Sequence, residues 1–94
     1  MRWTYRVYEI KFHKSVIKEI DKLRESKLDG KLKKLIKVIK INPYQNPPPY
    51  EKLLGELKEY YSRRINIQHR LIYKVNEETK IIQVVSVFTH YDSV

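Results

Sequence analysis

The 94-residue sequence predicts an α+β fold: an N-terminal strand and a two-helix hairpin, then a mostly antiparallel four-stranded sheet, in the order β-α-α-β-β-β-β. Three observations predict it. Apolar residues alternate up to Phe12, recur at helical spacing from Lys14 to Ile39, and alternate again beyond Tyr50. All four prolines fall between Asn42 and Tyr50, which separates the helical half from the β half. Short polar turns then divide the second half at hairpin intervals. A chain of this size buries only about 60–65% of its unfolded surface, so one core and one domain spanning residues 1–94 are expected.

Tyr5 to Phe12 reads as the first strand, with Val7, Tyr8, Ile10 and Phe12 as β-formers. From Lys14 the period changes. Val16, Ile17, Ile20 and Leu23 predict an amphipathic helix ending near Arg24 or Glu25. Leu28, Leu32, Leu35, Ile36 and Ile39 predict a second helix, with Ser26 as its N-cap and Pro43 as its stop. Gly30 weakens the first turn of that helix by up to about 1 kcal/mol relative to Ala. Helices linked so closely should pack as an antiparallel hairpin against the sheet. Asn42 to Tyr50 is expected to be an ordered, extended loop, because a Pro47-Pro48-Pro49 run favours polyproline II. The remaining strands are Glu51 to Leu54, Tyr60 to Ile65, His69 to Val75, and a long Lys80 to Tyr91. The last is apolar on both faces at its start and so is expected to be central.

Composition narrows the function classes. Cysteine is absent, which excludes disulfides, thiolate nucleophiles and Cys-bound zinc, and fits a reducing cytosol. Charge appears at Arg2 and Arg6, too early for a signal peptide, and no apolar run approaches a membrane span. A cytoplasmic protein with no membrane partner is expected. Twenty Lys and Arg against eleven Asp and Glu leave a net charge of +9, which attracts polyanions. Between Ser26 and Pro49 there are six lysines and one acid, Asp29. A helix laced with ion pairs would carry both signs. Here the lysines either hold phosphates or are covered by an acidic partner.

The sequence has no Gly-rich phosphate loop, since its only glycines are Gly30 and Gly55. It also lacks metal-ligand spacing and a nucleophile elbow, so neither metal nor cofactor is expected. The densest polar set is Tyr61-Ser62-Arg63-Arg64, His69-Arg70 and His90-Tyr91. If Ile65 and Leu71 face the core, Arg64 and Arg70 project from the opposite face on neighbouring strands. Two guanidiniums there form either a fork for an oxyanion or a solvated guard on a sheet edge. His90, near the end of the last strand, is either a proton donor at neutral pH or an ordinary terminal residue. Glu51 follows the proline loop and is the acid nearest the arginines, which makes it a candidate general base. His13 and His69 read as structural.

Tyr61-Ser62-Arg63-Arg64-Ile65-Asn66, then His69-Arg70-Leu71-Ile72-Tyr73 and the closing His90-Tyr91, resemble the signature of YoeB/Txe toxins in the RelE/ParE superfamily. Asn42-Pro43-Tyr44 and Glu51-Lys52-Leu53 fit the same branch. The resemblance spans the whole chain, and its specificity rests on roughly the last forty-five residues. The sequence departs from the family pattern at Glu59-Tyr60-Tyr61, where relatives commonly carry a glycine, and at Gln68, where they often carry an acid.

The resemblance implies the toxin of a type II toxin–antitoxin system, an mRNA-cutting endoribonuclease that works without a metal in the A site of the 70S ribosome. In that reading Glu51 takes the proton of a ribose 2′-hydroxyl, Arg64 and Arg70 stabilise the phosphorane, His90 protonates the 5′-oxygen, and Tyr91 aligns the base or phosphate. Lys31, Lys34, Lys37 and Arg63 are expected RNA contacts. The partner is a cognate antitoxin whose acidic, partly disordered C-terminal segment folds on binding, and a homodimer is compatible with the family. Two other functions are compatible with the same residues: a ParE-like gyrase poison, and a non-catalytic module binding RNA or an acidic protein.

Overall fold

The computed structural model describes residues 7–88. The first strand, β1 (Glu9–Phe12), leads into α1 (Val16–Glu25) and α2 (Asp29–Ile41). The strands β2 (Glu51–Lys52), β3 (Tyr60–Arg64), β4 (Arg70–Asn76) and β5 (Ile81–Ser86) follow, with a 3-10 turn at Gly55–Leu57 before β3. The order β1-β5-β4-β3-β2 makes one five-stranded sheet. Every pairing is antiparallel except that of β1 with β5. The predicted α+β class holds, and β1 joins the sheet as a fifth strand at its parallel edge. The two helices carry the chain across the sheet from β1 at one edge to β2 at the other, and β2 to β5 then return strand by strand until β5 lies parallel to β1.

The helices cover one face of the sheet only. Val16 and Leu23 of α1 and Leu32, Leu35 and Ile39 of α2 pack with Ile65, Leu71, Ile82 and Val84. Burying each such side chain contributes about 1.5–3 kcal/mol. Ile17 leaves this stripe and is 59% exposed, because it lies one residue, about 100°, round from Val16.

Ser26 is not the cap of α2. It ends α1, with Lys27 at φ 61° after it. The Lys27 amide donates to the Arg24 carbonyl and the Leu28 amide to the Leu23 carbonyl, a Schellman closure. A turn closed in this way carries the chain straight into α2 at Asp29, with Ser26 as the C-cap of α1 and Leu28 in the N-cap position of α2. The β elements are shorter than alternation suggests. β2 ends at Lys52, and β5 ends at Ser86 with a bend at 87–88. β5 lies inside the sheet between β1 and β4, whereas the central place belongs to β4. The proline segment is ordered but does not run as polyproline II. Cis bonds join Asn46–Pro47 and Pro47–Pro48, and the chain bends there.

Candidate active site

The register decides which side chains meet. Arg64 pairs directly with Arg70 across β3 and β4, and Glu51 pairs with Ser62 across β2 and β3. Ile65 and Leu71 are buried on the helical side, so alternation turns Ser62, Arg64, Arg70 and Glu51 to the face without helices. These four, with Pro49 and Tyr50, line one open pocket of about 200 Å³. Glu51 and Arg64 are diagonal neighbours across the strand pair, a spacing of about 7–8 Å that long side chains can span. None of the ion pairs among the described residues involves Glu51, Arg64 or Arg70. A carboxylate therefore faces two guanidiniums with room for a phosphate between them. Like charges placed directly opposite one another destabilise a sheet. Their cost falls away when an anion bridges both forks.

Arg63, one residue before Arg64, faces the other way and is fully buried. Its Nη2 donates to the carbonyls of Pro43 at 3.0 Å and Gln45 at 2.9 Å, and its Nη1 to that of Pro48 at 2.6 Å. Its Nε donates to the Tyr73 hydroxyl at 3.0 Å. The guanidinium also stands 4.9 Å from the centre of the Tyr50 ring. The expectation that Arg63 contacts RNA is thus corrected. A fully buried guanidinium committed to three backbone carbonyls has no surface to offer a ligand. It folds the proline segment over β3 and β4 and so sets where Glu51 enters the sheet.

A second anchor holds the near end of that segment. Glu77, in the β4–β5 hairpin, accepts hydrogen bonds from the hydroxyls of Tyr8 and Tyr44 and from Lys80 Nζ. The Tyr44 bond leads the interactions that hold the Glu77 carboxyl below its ordinary range. Burial first, and then the Glu77 carboxylate, push the Tyr44 hydroxyl up. Lys31, Lys34 and Lys37 are exposed on α2, in the layer on the far side of the sheet from the pocket. They do not join Glu51, Arg64 and Arg70. His69 is buried and stacks on Phe88 with ring centres 4.0 Å apart, in keeping with a structural role. His13 is exposed and lies with Nδ1 2.9 Å from Ser15 Oγ. His90 and Tyr91 lie outside the described residues. Ser62 was not singled out from sequence as a pocket residue. Its signal was its place two residues before Arg64 on one strand face, but only the β2 register shows that it faces Glu51.

Among the described residues, no group of three His, Cys, Asp or Glu is placed to hold a metal ion. Nor is any helix there long and apolar enough to cross a membrane.

The chain is similar to proteins of one kind. A family model described as the YoeB-like toxin of bacterial type II toxin-antitoxin systems matches residues 5–91. Toxin YoeB of Synechocystis sp. is 36% identical over 67 residues, 71% of this chain and 76% of that protein. The YoeB/ParE toxin from Agrobacterium tumefaciens superposes with a TM-score of 0.79 at 25% identity, over 88% of this chain and 99% of that one. A chain of the heterotetrameric YoeB-YefM toxin-antitoxin complex from Staphylococcus aureus superposes with a TM-score of 0.75 at 31% identity, over 92% of this chain and 100% of that one. The chain therefore belongs to the YoeB-like toxins of bacterial type II toxin–antitoxin systems.

Proposed function

We propose that this toxin is an endoribonuclease that cleaves messenger RNA in the ribosomal A site. The observation that carries the reading is the pocket in which Glu51 faces the paired Arg64 and Arg70. Glu51 accepts the proton of a ribose 2′-hydroxyl, and the oxygen attacks the adjacent phosphorus. Arg64 and Arg70 neutralise the charge that grows on the non-bridging oxygens, a task suited to bidentate guanidiniums. His90 protonates the departing 5′-oxygen, and Tyr91 orients the base or phosphate. The products are a 2′,3′-cyclic phosphate and a 5′-hydroxyl. Acid and base come from protein side chains, and the counter-charge from the two arginines, so the scheme uses no cofactor.

The exposed lysines of α2 contribute long-range attraction to ribosomal RNA, sensitive to salt and blind to sequence. The YoeB of Staphylococcus aureus occurs both in a heterotetramer with YefM and as a dimer. An antitoxin with an acidic segment is the corresponding partner for this chain, and its charge complements the +9 of the toxin.

The test is to incubate the protein with ribosomes programmed with a defined message, beside Glu51→Ala and His90→Ala. Cleavage leaving cyclic phosphate ends, reduced about 10²–10⁴-fold in either variant, is the expected result. An intact message with firm ribosome binding would make the protein a binding module. An intact message without binding would direct attention to gyrase.

A further inference from the structure

The helix-free face of the sheet continues well past the candidate pocket. Alternation along β4 places Lys74 and Asn76 on the same face as Arg70. Lys74 pairs with Tyr60 of β3 and with Gln83 of β5, and Gln83 pairs with Lys11 of β1. Lys11, Lys74, Asn76 and Gln83, with Thr79 and Ile81, line a second depression of about 350 Å³, larger than the first. Lys74 lies four residues beyond Arg70 along β4, roughly 14 Å at the strand rise, a distance that an extended single strand covers in a few nucleotides.

The geometry points to this depression as a second subsite for single-stranded RNA, which binds nucleotides flanking the scissile phosphate held at Arg64 and Arg70. The inference rests on the reading of the first pocket as an RNA site. Lys11 and Lys74 stand on strands either side of β5, so one phosphate between them meets two cations. Lys74 has an ion pair with Glu59 at 3.5 Å, but both side chains are well exposed. Such surface pairs are weak and give way to a stronger anion. Glu9 also lies on this face, set beyond Lys11 against Ile81. The exposed Gln83 amide offers a donor and an acceptor to a base edge. The half-exposed Tyr60 ring, 5.7 Å from Lys74 Nζ, offers a stacking surface. An amide and an aromatic ring beside two lysines suit a base with its phosphate better than a carboxylate-rich peptide, which uses the lysines alone.

The test reads binding rather than cleavage. Oligonucleotides of about three, six and nine nucleotides, 2′-deoxy throughout the reactive region, are titrated against the full chain by fluorescence anisotropy. The expected result is affinity that rises with length in the wild type. Lys11→Gln/Lys74→Gln should bind the shortest strand as the wild type does but the longer ones about tenfold more weakly, with a salt slope lower by about 1–2. Gln83→Ala should weaken only the longer strands. Equal length dependence in wild type and variant would overturn the proposal, as would an equal loss at every length. Polyglutamate binding that depends on Lys11 and Lys74 but not on Gln83 or Tyr60 would also overturn it, assigning the face to an acidic peptide. If the wild type shows the expected length dependence yet cuts no programmed message, the nuclease reading fails and the subsite stands.

Discussion

Arg63 and Arg64 are joined by one peptide bond, and the sheet sends them into opposite environments. Arg63 enters the packed layer, where carbonyl oxygens and a tyrosine hydroxyl meet every nitrogen of its guanidinium. Arg64 enters the open layer and faces another arginine. Each breaks a rule, in opposite ways. Arg63 is a buried cation without an ion pair, tolerated because it donates three hydrogen bonds to carbonyls of the folded proline segment and one to the Tyr73 hydroxyl. Arg64 is exposed and Arg70 half-buried, and they form a facing pair of like charges whose repulsion an anion bridging both forks would relieve. A charge that is satisfied within the fold serves the fold, and a charge left unsatisfied by it is available to chemistry.

Substitutions at the two positions should therefore separate stability from activity. Arg63→Met leaves the carbonyls of Gln45 and Pro48 without the guanidinium that satisfies them. A loss of about 3 kcal/mol is expected. In a chain of this size that is a fall of about 12 °C or more in Tm, measured by thermal melting. Arg64→Ala should lower cleavage of programmed message about 10²–10³-fold. Its Tm should hold or rise slightly, because the facing like charge is removed. Equal losses of stability in both variants would end the distinction drawn between them.

The anchor at Glu77 gives a pH-dependent version of the same test. Its carboxyl titrates below the ordinary value of 4.5 in the folded state, chiefly because the Tyr44 hydroxyl bonds its ionised form. The stability it contributes is complete above the unfolded value and is lost as the pH falls through the lower folded one. Glu77→Gln should cost about 1 kcal/mol near neutral pH, a modest figure for a half-exposed group. The wild-type and variant Tm values should converge as the solution is acidified below the ordinary carboxyl value of 4.5. A gap that does not narrow at all as the pH falls below the ordinary 4.5 would mean that the carboxylate does not hold the loop.

Period-2 and period-3.6 patterns made most of the architecture legible, because both register which side chains meet water. Alternation also placed Arg64 and Arg70 on one face, since Ile65 and Leu71 fix the phase of their strands. The same reasoning did not extend to Arg63. Arg63 is expected from the sequence to contact RNA, whereas the groups that meet it depend on where the proline segment folds back, and that is a tertiary fact. Ser26 misled for a local reason. A serine before an apolar run fits an N-cap, yet the left-handed turn at Lys27 closes α1 first, and no glycine or asparagine advertised it. The Ser62–Glu51 pairing needed the register of a two-residue strand, too short for any pattern to specify.

Lys27 also tests whether strain on the packed side has any use. The left-handed conformation costs a non-glycine residue about 1–2 kcal/mol, and Lys27 adopts it at φ 61° only to close α1. Lys27→Gly removes that cost and adds some unfolded-chain entropy. A net gain of about 0.5–1 kcal/mol, or roughly 2–6 °C in Tm, is expected, with cleavage unchanged. Lys80 is the control, left-handed at φ 57° but bonded to Glu77 at 3.0 Å. Lys80→Gly relieves similar strain while losing that bond, so its Tm should move little. Stabilisation by both glycines would show that the Glu77 anchor carries less than its geometry suggests. A loss of cleavage in Lys27→Gly would place function on the helical layer, where the present reading puts only long-range attraction.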